Sequence, residues 1–164
     1  MKVLMVSFTS LLQKLYRKKC EEIGKYVNLE VLIPTYWQEL WSGKKRLIST
    51  AEVQNYQIHR GKVFFAGNLH LAVFYTSLIG LLKKNQPEII DFENEVFNLG
   101  SLQIIQYCKL FSPRSKIIWR ASQNVVKNYP FPFSWLENYV LTKAAFILAR
   151  TPAARKVLIN KGYA

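Results

Sequence analysis

The sequence predicts an α/β fold, a doubly wound, mostly parallel sheet with helices on both faces. Three observations carry it. Short continuous apolar runs rich in β-branched residues alternate with segments whose apolar residues recur every three or four positions. The first 34 residues already hold a complete strand–helix–strand unit. The final segment carries the start and stop signals of a capped helix.

Residues 2–8 (KVLMVSF) form the first apolar run, as expected of a strand covered on both faces. Over 9–26 the period changes: Leu12, Tyr16, Cys20 and Ile23 recur at helical spacing with Leu11 and Leu15 beside them, while Lys14, Arg17, Lys18, Glu21 and Glu22 fall elsewhere. That is an amphipathic helix with Gly24 near its end. NLEVLIP (28–34) returns to strand character and stops at proline, which implies a right-handed crossover. WQELWSGKKR (37–46) sets two tryptophans beside a basic triplet and predicts an exposed loop. VQNYQIH (53–59) and KVFF (62–65), joined at Arg60-Gly61, predict a short hairpin or two edge strands.

After Gly67-Asn68 the alternation resumes. Residues 70–84 predict a helix ending in Lys83-Lys84, cations that suit the negative end of its dipole. EIIDFE (88–93) reads as a strand, 97–111 as a helix, KIIWRA (116–121) as a strand, 133–143 as a helix and AFILAR (145–150) as the last strand. In TPAARKVLINKGY, Thr151 caps, Pro152 takes the first helical position, Lys161 sits in the last turn and Gly162 closes.

The 164 residues suit one domain, residues 1–164, that buries roughly two-thirds of its unfolded surface. Cys20 and Cys108 lie far apart in helix-like apolar patterns without CxxC spacing, which predicts buried thiols and a reducing, cytoplasmic compartment. MKVLMVSF lacks the cleavage-type end of a signal peptide. LHLAVFYTSLIGLL (69–82) is shorter than the roughly 20 residues a bilayer span needs, and it reads as a buried helix. The net charge of +13 is spread evenly: residues 1–62 carry 11 Lys and Arg against 5 Asp and Glu, and residues 63–164 carry 12 against 5. An even basic surface predicts either anionic partners, phosphates or acidic lipid headgroups, or solubility alone.

In an open α/β sheet a ligand binds beyond the carboxyl ends of the strands. The loops expected there are Ser7 to Ser10, Gly67-Asn68, Glu93 to Glu95, Ser122 to Asn124 and Arg150-Thr151. Ser10 and Thr151 read as helix caps. Glu93 and Glu95 read either as dipole partners of a helix start or as a functional pair. Gln123 and Asn124 belong to an Asx-type turn, or bind the hydroxyls of a sugar with side chains that both donate and accept. His59 and His70 have no acid or second histidine at ligand spacing, so no metal is expected. There is no GxGxxG and no GxxxxGK[ST], so no cofactor is expected, and no RNA-reading motif, so no nucleic acid is expected on more than charge.

The ordered set KVLMVSF, YRKKCEEI, NLEVLIP, KKNQPEIIDFENEVFNLG, KIIWRASQNVVKNYPFPFSWLENYVLTKAAFILART and ARKVLINKGY resembles the N-terminal domain of family 4 (group 1) glycosyltransferases. The resemblance covers nearly the whole chain and is weakest over 35–68. It implies the Rossmann-like N-terminal half of a GT-B fold, in a retaining enzyme that moves a sugar from a nucleotide-sugar donor to a glycan or lipid-linked acceptor. It implies that Glu93, Glu95, Ser122, Gln123 and Asn124 bind the acceptor, that Ser7, Thr9 and Ser10 face the donor phosphates, and that the donor-binding half would follow residue 164. A domain without that half should not turn over. Many members have a glycine pair after the first strand where this chain has Phe8-Thr9, some have a histidine near Ser122-Gln123, and Asp91 stands where the strand often has histidine; the catalytic residues are therefore left unassigned. Lys14, Arg17, Lys18 and Lys19 are the expected contacts with an anionic membrane, at about 1 kcal/mol each, which would hold the enzyme peripherally at the cytoplasmic membrane face. The competing reading is a free-standing basic α/β module that binds nucleic acid or another polyanion.

Overall fold

A computed structural model of the chain describes residues 1–8, 14–38, 45–47 and 55–163. The elements run β1 (Lys2–Ser7), α1 (Lys14–Gly24), β2 (Asn28–Pro34), β3 (Tyr36–Gln38), β4 (Lys45–Leu47), β5 (Tyr56–Gly61), β6 (Val63–Phe64), β7 (Val73–Phe74), α2 (Ser77–Asn85), β8 (Ile89–Glu93), α3 (Leu99–Phe111), β9 (Lys116–Ala121), α4 (Phe133–Lys143), β10 (Phe146–Ala149) and α5 (Pro152–Asn160). Six strands make one sheet in the order β10-β9-β8-β1-β2-β5. Every pairing in it is parallel. Counted along the chain, this is the 3-2-1-4-5-6 order of a Rossmann-like doubly wound sheet, with its topological switch between β1 and β8.

Side chains alternate along a strand, so each strand feeds two cores. Leu4, Val6, Ile90, Phe92, Ile117, Trp119 and Ile147 meet Leu78 and Leu82 of α2, Ile104 and Cys108 of α3, and Val140 of α4. The indole of Trp119 is fully buried there and donates to Ser101 Oγ at 3.2 Å. On the other face Val3, Met5, Leu29, Val31 and Ile33 pack against Cys20 and Ile23 of α1. Cys20 Sγ approaches Met5 Sδ at 3.8 Å, and both cysteines are buried free thiols. Helix α1 packs over β1, β2 and β5. The same face of β10 is open: Phe146 is 55% and Leu148 42% exposed.

Several local expectations hold. Thr151 caps α5 by accepting from Ala154 N at 3.0 Å, with Pro152 opening the helix. Lys83 and Lys84 occupy the last turn of α2. Gly162 adopts φ +85°, the left-handed conformation that glycine favours.

Three expectations are corrected. The segment 37–46 is not simply an exposed loop: Trp37 is buried, and its strand β3 pairs antiparallel with β4. An indole beside Phe8, at a ring separation of 5.6 Å, gains too much from burial to stay in solvent. Of the two alternatives for 53–59 and 62–65, the hairpin fails and the two edge strands form, with residues 53–54 outside the described residues. β5 adds to the edge of the main sheet beside β2, whereas β6 pairs with β7. The helix expected over 70–84 begins only at Ser77, because 73–74 is taken up as a strand whose Phe74 stacks on Phe8 at 5.0 Å. Among the described residues no helix is long and apolar enough to cross a membrane.

Gly61 ends β5 beneath Phe74 and Ser77; a Cβ there would lie 2.8 Å from Phe74 Cδ1 and press on Ser77 Oγ. Gly61→Ala is expected to cost about 1–3 kcal/mol through overpacking. Urea unfolding checks this, and an unchanged midpoint would show that the contact yields freely.

Candidate functional site at the carboxyl rim of the sheet

Strand β8 is apolar except at Asp91 and Glu93, which a period of two directs to one face, the side that α1 covers in part. Arg120 of β9 grips Asp91 with two hydrogen bonds, Nε to Oδ1 at 2.9 Å and Nη2 to Oδ2. This fork is the strong geometry for a guanidinium and a carboxylate. Arg120 Nε also lies 3.3 Å from Glu93 Oε1, and the Lys19 ammonium reaches over from α1 to the same oxygen. The four formal charges cancel, which is what permits Asp91 to be buried. Glu93 Oε2 is buried without a hydrogen-bond partner. Burial, and then the Arg120 guanidinium, lower Lys19 to about 8 despite the carboxylate beside it.

Beyond the strand ends a second group forms. Glu95 Oε1 accepts from Ser122 N at 2.9 Å, which joins the loop after β8 to the loop after β9. Burial raises the pKa of Glu95, and the Ser122 N–H opposes that rise. Its backbone is fixed on both sides: Glu95 N donates to Asn94 Oδ1 at 2.9 Å, and Ser101 Oγ donates to Glu95 O at 3.0 Å. Gln123 Nε2 donates to Val125 O at 2.8 Å. Thr151 Oγ1 donates to Asn124 Oδ1, which ties the loop after β9 to the cap of α5 and leaves the amide N–H pair of the exposed Asn124 as its donor side. Arg150 Nη1 lies 3.4 Å from Ser122 Oγ.

The rest of this loop is held from below. Tyr129 stacks on Phe97 at 4.1 Å, and the Lys161 ammonium donates to Lys127 O at 3.1 Å and to Glu137 Oε1 at 2.6 Å. The Phe131–Pro132 peptide is cis.

Of the residues picked from the sequence, Glu93, Glu95, Ser122, Gln123 and Asn124 therefore share one rim, with Glu95 and Ser122 in direct contact. Ser7 pairs in register with Glu93 but is fully buried, so its hydroxyl is not offered to the surface. Thr9 and Ser10 lie outside the described residues. Lys14 opens α1, Arg17 is half-buried and Lys18 is exposed. Lys19 departs from its expected outward, membrane-facing role, because its ammonium turns inward to Glu93. His59 Nε2 meets Glu30 Oε2 at 2.7 Å, and His70 sits between the rings of Phe97 and Phe133.

The functional reading of the sequence missed the network of Lys19, Asp91, Glu93 and Arg120 as a unit. The available signal was a charge inside an apolar strand, Asp91 in IIDFE and Arg120 in KIIWRA, since such positions are occupied by pairs. Fold and site together define a Rossmann-like α/β domain with a charged and amide-bearing rim at the carboxyl ends of β8, β9 and β10. No family model matches the chain, and no curated protein matches it in sequence.

Asp91→Ala strands the partly buried Arg120, and a loss of about 3 kcal/mol in urea unfolding is expected; a loss below about 1 kcal/mol would mean that Glu93 alone satisfies the guanidinium. Lys19 gives a pH signature. It titrates near 8 when folded and at the usual 10.5 when unfolded, so between these values the unfolded chain holds more protons and stability rises with pH. Lys19→Met should lack that rise, and a wild-type-minus-variant difference that stays flat from about pH 8 to pH 10 would contradict the assignment.

Proposed function

We propose that the chain is the acceptor-side domain of a glycosyltransferase that uses a nucleotide-activated sugar, and that its rim binds a glycan or the saccharide portion of a lipid-linked acceptor. The observation that carries the reading is the hydrogen bond from Ser122 N to Glu95, which brings the loops after β8 and β9 into one polar surface at the strand ends. Ligands of doubly wound sheets bind there. The chemistry fits polyhydroxylated molecules. Glu95 offers a carboxylate with a raised pKa, Asn124 an amide donor side, and Arg150 a guanidinium near Ser122.

In this reading Glu95 accepts from an acceptor hydroxyl, and its raised pKa makes it a candidate base for that proton. Asn124 donates to a neighbouring oxygen. The network of Lys19, Glu93, Arg120 and Asp91 sets the electrostatics of the floor. The donor nucleotide would be held mainly by a second lobe, so that the domain by itself binds acceptor and does not turn over. Exposed Lys18 and half-buried Arg17 on α1 would assist approach to an anionic surface.

The test is saturation-transfer NMR of the chain against short neutral and phosphorylated oligosaccharides. Binding is expected, and Asn124→Ala should weaken it about threefold to tenfold, the worth of one hydrogen bond. Glu95→Gln should retain a large part of the affinity while abolishing transfer once a donor-binding lobe is supplied. No saturable saccharide binding, together with a DNA affinity that falls steeply with salt, would replace this reading with a polyanion-binding module.

A further inference from the structure

At the opposite end of the row of strands, the chain past β2 and β5 builds a surface unlike the polar rim. Thr35, Tyr36, Lys62, Val63, Phe64 and Tyr75 line an open groove of about 490 Å³. Its walls are Tyr36 of β3, the first residues after β5, and the short β6–β7 ladder, where Thr35 N donates to Gly61 O at 2.9 Å and Tyr75 N to Lys62 O at 2.9 Å. The groove is aromatic and outward-facing. Phe64 is 51% exposed and Tyr75 53%, with their rings in edge contact at 5.1 Å.

Phe65 follows directly and is 62% exposed, with φ +55°. A bulky residue in the left-handed region is strained, and asparagine or glycine would sit there with less strain. Here the strained residue carries a large apolar ring that is mostly exposed at a turn. Such an outlier points to a use outside the fold. Leu69, in the same β6–β7 connection, is also exposed.

The charge around this tip is positive. Lys62 is exposed within the groove wall. The whole chain carries +13. Exposed aromatic rings beside a lysine on a strongly basic body match the chemistry of an anionic bilayer surface, whose interface favours amphipathic rings and whose potential attracts lysine and arginine. The same net charge opposes a second copy of this chain as the occupant.

We propose that the β6–β7 connection is a membrane-docking tip, in which Phe64 and Phe65 enter the headgroup boundary of an anionic bilayer and Lys62 stays at the phosphate level. This site is separate from α1, whose cations would act only at a distance. It does not rest on the glycosyl-transfer reading, because vesicles without any saccharide test it.

The experiment is co-sedimentation of the chain with vesicles of three parts phosphatidylcholine to one part phosphatidylglycerol, and with phosphatidylcholine alone. Binding to the anionic vesicles is expected, with weaker binding to the neutral ones. Phe65→Asn should lower the partition coefficient about tenfold, the worth of one buried aromatic ring, while the thermal midpoint holds or rises because the backbone strain is relieved. Phe64→Ser should act in the same direction. In about 0.5 M salt a residual, Phe65-dependent partition should persist, whereas attraction through α1 alone would vanish. Unchanged partition of Phe65→Asn overturns the proposal, as does an absence of binding to the anionic vesicles. A dimer that Phe65→Asn dissolves, without vesicle binding, overturns it in favour of self-association.

Discussion

A parallel sheet uses all of its interior backbone hydrogen bonds within itself and must cover both faces, so a charge inside one of its strands can survive only beside an opposite charge or solvent. That constraint organises this molecule. One face is closed by α2, α3 and α4, against which β8 and β9 place Ile90, Phe92, Ile117 and Trp119, and the charge that β2 carries on this face, Glu30, is paired with His59 and accepts from Asn85 of α2. The other is closed by α1 over β1, β2 and β5 and left open along β10. Asp91, Glu93 and Arg120 occupy the boundary between the covered and open halves, and Lys19 reaches them from the helix that defines it. The ion pairs are therefore a consequence of incomplete cover as much as a device for binding. Replacing them with apolar residues would extend the open patch that Phe146 and Leu148 already present.

The large elements were legible because their signals are local. β1, α1, β2, β8, α3, β9, α4, β10 and α5 all appear where the apolar period and the punctuation of Pro34, Thr151, Pro152 and Gly162 place them. What could not be read is the stretch between Thr35 and Ser77. Its order depends on contacts distant in sequence: Trp37 and Phe74 are drawn to Phe8, and β5 gains its partner only from β2. A helical apolar pattern over 70–76 was overridden by the stacking of Phe74 on Phe8. Short strands built on such contacts carry no period of their own.

The rim was legible for a different reason. Topology alone brings strand ends together, so the loops bearing Glu93, Glu95 and Ser122 to Asn124 could be assigned to one edge without knowing a single distance. Side-chain direction was not accessible in this way. Ser7, a strand end by the same logic, turns out to be buried, and Lys19, one of several basic residues in the first helix, is drawn inward. Nothing in the run of Lys18 and Lys19 distinguishes the exposed member from the inward one. That distinction comes from the neighbouring Cys20, whose burial against Met5 sets the rotation of α1 about its axis.

The same rotation has a consequence for the rim. With Lys19 and Arg120 on Glu93, and Ser122 N on Glu95, each acidic residue already has one oxygen engaged. Gln123 Nε2 donates to Val125 O, and Asn124 Oδ1 accepts from Thr151 Oγ1. A ligand arriving at this surface meets groups whose orientation is set in advance, so it does not bear the entropy of ordering them. Asn124 presents donors and Glu95 an acceptor whose proton affinity is raised. A hydroxyl both accepts and donates, so it suits either group. An ionised phosphate suits only the first, because its charge is repelled by a carboxylate. In the proposed acceptor-binding reading, the Glu95 side of the rim would favour neutral hydroxyls over anions.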